Sequence, residues 1–349
     1  MSEHVFGLQD HDFWSDPFKA EPTPSGLPPR PGPPGLVIDA PSYVALGVRE
    51  TLPVVVRHTM TLKKAAYVSF RFLALVTAVD VDRNELYVGP ALDQEGRVRE
   101  ERTAPAAEPP DGMMMSPYLS EVRARAGVPW QPSNLLVTVL LRDEVSNRVT
   151  TRLDKQPGSY EDPEVRKFLE AQHGKQPPAP VSPAESWPYP TYKELPNSPD
   201  APDSIGIALA ADRVSVLSSD SRAVVRGSFR LAARKEDIVP RLAASSGEAS
   251  GAASPKDTPT AIVGIHLLAT GADSGVPIVL RLRVPSHDPI DPNDPNPVVT
   301  GCFAVDLLSY KTAPWKDETY FLYAFSRESM AGPVPCALVH ESMLPPGAK

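Results

Sequence analysis

The sequence predicts a mainly β protein of two tandem, duplicated antiparallel β-sandwich domains, Ig-like or jelly-roll-like, with long proline-rich loops and a few short helices. Three observations carry this expectation. Short segments rich in Val, Leu, Thr and Phe recur along the chain, as half-buried strands require. Proline accounts for 42 of the 349 residues, more than twice the ~5% typical of proteins. Proline lacks an amide donor and fixes φ, so it belongs in loops, edges and linkers. Third, one pair of strand-like segments repeats. The length suits two domains of ~100–150 residues, and a hydrophobic content of 41% is enough to build their cores.

Residues 1–40 read as a proline-rich arm, since Pro22, Pro24, Pro28, Pro29, Pro31, Pro33 and Pro34 favour polyproline II. Residues 41–174 read as a first sandwich. Its strands are expected at Thr51–Leu62, Ala66–Val79, Leu86–Val88, Leu135–Leu141 and Arg148–Leu153, with a hairpin turn at Asp80–Asn84. Residues 93–132 form a long polar excursion containing a predicted helix: Ser116 as N-cap, Pro117 in the first position, Tyr118–Ala126, and Gly127 as the stop. A second helix carries the same punctuation from Asp162 to Gly174. Nine prolines between 175 and 203 mark a stiff linker. The second sandwich, 204–349, is expected to hold strands at Val214–Leu217, Ala223–Leu231, Ala261–Thr270, Ile278–Val284, Val299–Leu308, Thr319–Phe325 and Cys336–His340.

The repeat aligns Val55–Leu62 with Val224–Leu231, sharing Val-Val-Arg and the final Leu. It continues as Ala66–Ala74 against Ala261–Ala269, then Leu86–Pro90 against Leu282–Pro285. Collinear matches in the same order point to duplication.

The formal charge of −8 and the lack of a dense Lys/Arg stripe argue against a nucleic-acid partner. The first residues lack the basic and apolar regions of a secretory signal, and no apolar run approaches the ~18–20 residues that cross a bilayer. With Cys302 and Cys336 as the only cysteines, a disulfide framework is not expected. A cytoplasmic protein without a cofactor or membrane partner is the simplest reading.

No metalloprotease, nucleophile-elbow, Walker, dinucleotide or C-x-x-C motif occurs. Several constellations remain as candidates. The rings of Phe13, Trp14 and Phe18 in the arm either dock on the protein's own surface or meet a partner. Met113, Met114 and Met115 read as a loop plug or a greasy contact patch. Trp187, Tyr189 and Tyr192 punctuate the linker, either pinning it down or stacking on a peptide or sugar. Asp288, Asp291, Asn293 and Asp294 crowd oxygen ligands that could hold a calcium ion, with a solvated turn as the plainer reading. Cys302, Cys336 and His340, with His266, contain soft ligands for zinc or copper, against two ordinary core thiols. The expected function is that of a non-enzymatic binding or assembly protein, presenting loops and the arm to a protein partner or to itself. The alternatives are a sugar-binding protein or an enzyme using His58, His266 and Asp288 between the two domains.

Overall fold

The computed structural model describes residues 5–6, 35–46, 51–62, 73–92, 113–154, 198–218, 221–239, 259–287, 290–291, 294, 297–340 and 342. Two compact units emerge, one of residues 1–183 with 272–277 and the other of 184–271 with 278–349. Unit 1 contains β1 (Val5–Phe6), β2 (Gly35–Asp39), β3 (Tyr43–Ala45), β4 (Pro53–Thr61), β5 (Leu75–Asp80), β6 (Glu85–Pro90) and β7 (Met113–Glu121). Helix α1 (Val122–Ala126), β8 (Ser133–Leu141), β9 (Glu144–Val145) and β10 (Val149–Asp154) complete it. Unit 2 contains β11 (Gly206–Ala211), β12 (Val214–Leu217), β13 (Val224–Ala232), β14 (Ile238–Val239) and β15 (Thr260–Gly271). It ends with β16 (Pro277–Pro285), β17 (Val298–Asp306), β18 (Glu318–Ser326) and β19 (Ser329–His340). The protein is mainly β.

In unit 1 one sheet runs β2-β4-β7 and the other β1-β3-β10-β8-β5-β6, with β9 on β8. In unit 2 one sheet runs β11-β13-β17 and the other β12-β19-β18-β15-β14, with β16 on β15. Setting aside β1, β9 and β14, the strands correspond one to one in chain order and in pairing. In each unit the second strand of the correspondence, β3 or β12, joins its sheet in parallel, beside the final strand. Within each unit a single apolar core draws on both sheets: Ile38, Val56 and Met60 meet Val76, Val137 and Leu153 in unit 1. Val225, Phe229 and Phe303 meet Leu267, Leu322 and Leu338 in unit 2.

Burial explains why most of these strands are visible as apolar runs. The face of β5 and β8 opposite the core is also buried, at Leu75, Thr77, Val79, Thr138 and Leu140. The same holds for Leu268, Thr270, Tyr323 and Phe325 on β15 and β18. A sheet buried on both faces is written as a nearly continuous hydrophobic stretch rather than as strict alternation.

The hairpin at Asp80–Asn84 is set by Asp80, whose carboxylate accepts the amides of Asp82 and Arg83, each at 3.0 Å. It also holds the Arg83 guanidinium at 2.7 Å, and Asn84 closes the turn at φ 53°.

Two sequence expectations need correction. Met113–Glu121 is a strand paired with β4, not a loop followed by a helix from Ser116. The helix keeps only its last five residues, with the stop at Gly127 (φ 70°) as expected. Its N-cap is Glu121, whose carboxylate accepts from the Arg123 and Ala124 amides at 3.1 and 2.6 Å. Ser-Pro is an ambiguous signal. It opens helices, yet proline is equally suited to an edge strand, where its nitrogen points away from the partner. Need decided the outcome: β4 is a central strand, and β7 pairs along its whole length from Pro53 to Thr61.

The arm is also shorter than 40 residues, because Gly35–Asp39 pairs with β4 and buries Leu36 and Ile38. The predicted helix from Asp162 to Gly174 and linker residues 175–197 lie outside the described residues.

Val55–Leu62 and Val224–Leu231 fall on β4 and β13, the middle strands of the two three-stranded sheets. Their phase agrees, since Val56 and Val225, and likewise Met60 and Phe229, enter the cores. Of the second match only residues 73–74 of the first copy are described, and Ala74 and Ala269 both face a core. The third match is out of phase. Tyr87 packs on the core of unit 1, whereas Leu282 and Val284 do so in unit 2. A slip of one residue exchanges the faces of a strand, so Leu86 and Leu282 are not equivalent.

Candidate functional site

The cross-sheet network of unit 1 starts at His58. The alternation of β4 turns His58 toward the core with Val56 and Met60, and the residue is 1% exposed. Its Nε2 lies 2.7 Å from Oε2 of Glu144, on β9 of the other sheet. This pair ties the two sheets of the unit together. Histidine held by a carboxylate is a familiar part of catalytic relays, but an imidazole so fully covered cannot reach a substrate. At the matching position of β13 stands Gly227, and the space above it is taken by the ring of Phe303. Sequence reading singles out His58 but gives no signal for Glu144, which reaches it only through the fold.

Unit 2 holds a second pair. Cys302 lies on β17 between the core-facing Gly301 and Phe303, so its thiol points away from the core. Its Sγ is 3.3 Å from Nε2 of His287. The His287 amide donates to the Thr300 carbonyl at 2.9 Å, which brings the ring beside β17. A thiol next to an imidazole is the combination that favours a thiolate. Cys302 is nevertheless buried while His287 is exposed.

Cys336 belongs to the opposite environment, inside the apolar core of unit 2. Burial pushes its thiol up to about 11, with the charge of Asp212 adding to the effect. Cys302 and Cys336 therefore face different surroundings and do not share a metal centre. Exposed His340 bonds instead to Ser342, at 2.9 Å. Among the described residues, no group of three or more His, Cys, Asp or Glu could hold a metal ion. Asp291 and Asp294 are exposed, and the Asp294 amide donates to the Asp291 carbonyl at 3.1 Å. Asp288 and Asn293 lie outside the described residues, as do Phe13, Trp14, Phe18, Trp187, Tyr189 and Tyr192.

Many of the remaining polar groups hold strands and turns. Asn147 clamps β2, accepting the Ile38 amide at 2.8 Å and donating to the Ile38 carbonyl at 2.9 Å. Asp306 accepts the amides of Ala223 and Leu308, at 3.0 and 3.1 Å. Glu121, besides capping α1, accepts the Leu52 amide at 2.8 Å. Burial raises the phenol of Tyr320 to about 12, although its oxygen accepts the Lys316 amide at 2.8 Å. Burial likewise pushes Tyr118 far above its ordinary range. These are groups serving the fold.

No helix among the described residues is long and apolar enough to cross a membrane. Compared with known families and curated proteins, the chain matches no family model and no individual protein.

Proposed function

We propose that this chain is a non-enzymatic binding or assembly protein: two β-sandwiches, Ig-like or jelly-roll-like and related by duplication, that present their loops and the N-terminal arm to a protein partner. The observation that carries this reading is where the polar side chains are spent. Asp80, Glu121, Asn147 and Asp306 are each bonded to backbone amides of turns, caps or strand edges. The buried His58–Glu144 pair joins two sheets. Chemistry of this kind builds a scaffold, and on a rigid sandwich the connections are the parts that vary and bind. The matching strand orders and the phase of Val55–Leu62 against Val224–Leu231 support duplication. Arm and linker contribute aromatic side chains, the residue types that anchor interfaces.

The test uses the full chain with Phe13→Ala, Trp14→Ala and Phe18→Ala combined, as bait in its native extract. The unaltered chain captures a protein partner in stoichiometric amount, and the triple variant loses it. Equal capture by both chains would remove the arm from the interface.

A further inference from the structure

Along β17, Val299, Phe303 and Val305 enter the core of unit 2, so Thr300, Cys302 and Ala304 form the other face. On the neighbouring β13, Val225, Phe229 and Leu231 enter the core, and Arg226, Ser228 and Arg230 share the face of Cys302. Ser228 stands directly opposite Cys302. The two arginines flank it along β13, Arg226 opposite Ala304 and Arg230 opposite Thr300. A nucleophilic side chain thus lies on a face whose diagonal neighbours are both cationic.

His287 is brought to the thiol by backbone bonds. The Ser286 amide donates to the Ala261 carbonyl at 2.8 Å and the His287 amide to the Thr300 carbonyl at 2.9 Å, and Nε2 lies 3.3 Å from Sγ. With the ring proton on Nδ1, Nε2 is the acceptor for the thiol proton, and its transfer leaves a thiolate beside an imidazolium. The surrounding charges favour that state. Arg226 is bonded to Asp212 at 2.8 Å, and Arg230 is exposed. The Asp200 carbonyl accepts from Ser228 at 2.7 Å, and the opposing charge of this residue is exposed to solvent screening. Cys336 is the internal contrast, an apolar-core thiol that burial pushes up to about 11.

We propose that Cys302 and His287 form a reactive thiol site that takes a small hydroperoxide, making Cys302 a point of oxidation to a sulfenic acid. The thiolate attacks one peroxide oxygen, an S–O bond forms and the O–O bond breaks. The departing hydroxide takes the proton from Nε2 of His287 and leaves as water. Cys302 is oxidised by two electrons and the peroxide is reduced. Size selects the substrate class: Cys302 is 5% exposed, and its imidazole partner is the exposed member of the pair. Cys336, the other thiol of the chain, points into the core and cannot meet Cys302 without backbone movement. The product therefore stays a sulfenic acid rather than closing an internal disulfide. The site is independent of the binding reading above, since it uses neither the arm nor the linker.

The test treats the folded full chain with substoichiometric hydrogen peroxide and excess dimedone, which captures sulfenic acids, and follows both cysteines by peptide mass spectrometry. The adduct is expected on Cys302 and not on Cys336. His287→Gln keeps the backbone bond to Thr300 and removes the base, and is expected to slow the Cys302 adduct about tenfold or more at neutral pH. That difference should close above about pH 9, where a thiol ionises without help. Should the variant fold poorly, the unaltered chain answers the same question through its rate of alkylation by iodoacetamide against pH. Labelling of Cys302 is expected to persist down to about pH 6, well below the range of an ordinary thiol. Absence of the adduct from Cys302 would overturn the proposal. So would an unchanged rate in folded His287→Gln, or alkylation that follows the ionisation of a free thiol.

Discussion

Gly227 and Gly301 stand opposite Phe303 and Phe229 on the neighbouring strands β13 and β17. Each ring lies over the glycine facing it, so that a Cβ at either position would collide with aromatic carbons. Here the missing side chain is what lets two large ones pack. Gly227→Ala is expected to lower stability by about 1–3 kcal/mol through overpacking. Gly35→Ala is the control, because its Cβ would meet nothing within 4 Å. Loss of glycine's freedom in the unfolded chain should then leave stability unchanged or slightly raised. Chemical denaturation of both variants checks the sign of each effect. This residue-scale complementarity is illegible in the sequence, where Gly227 is only an interruption in a run of strand formers. The His58–Glu144 pair is equally hidden, since its two members meet through strands of different sheets.

Strands and turns are much more legible than their contacts. Ser133–Leu141, Thr260–Gly271 and Glu318–Ser326 announce themselves because they are buried on both faces and written as apolar runs. The hairpin at Asp80–Asn84 is legible because aspartate and asparagine satisfy local turn amides. Reading fails where one signal serves two structures. Ser116-Pro117 has the punctuation of a helix start and lies in an edge strand, while the true cap, Glu121, sits five residues further on. Gly35–Asp39 is missed because it is short and follows a run of prolines. That strand is held by β4 on one side and by the Asn147 amide, which bonds both backbone groups of Ile38. Asn147→Ala is expected to cost about 1–3 kcal/mol, the penalty for leaving a partly buried amide and carbonyl without partners. Faster hydrogen exchange at Leu36–Ile38 would accompany the loss, and unchanged exchange there would contradict the clamp.

At the scale of the whole molecule, two groups in unit 2 make its stability depend on alkaline pH. Cys336 moves from an ordinary value of 9.0 to about 11, and Tyr320 from 10.0 to about 12, burial being the main cause for both. Both acids are held in their neutral forms, so the unfolded chain releases its protons first. The stabilisation is complete below pH 9 and falls as pH rises through the window from about 9 to 12. Melting temperature measured across that window should decline, with a shallower slope in Cys336→Ala between pH 9 and 11. An unaltered slope would show that this thiol does not govern the decline. Fold class is the most legible property at this scale, because composition and patterning both express it. Site chemistry is the least. The arm, Met triplet, linker and Asp-Pro loop are visible as departures from the strand pattern, but departure alone does not say what they touch. The Met triplet shows the danger, since it belongs to a strand.

If the chain works by holding a partner, capture from the native extract, with the bound protein quantified against the bait, will recover it. One protein partner is expected near equimolar with the full chain and lost from the Phe13→Ala, Trp14→Ala, Phe18→Ala variant. Recovery of no partner, together with turnover of a small molecule that depends on Cys302 and His287, would contradict it.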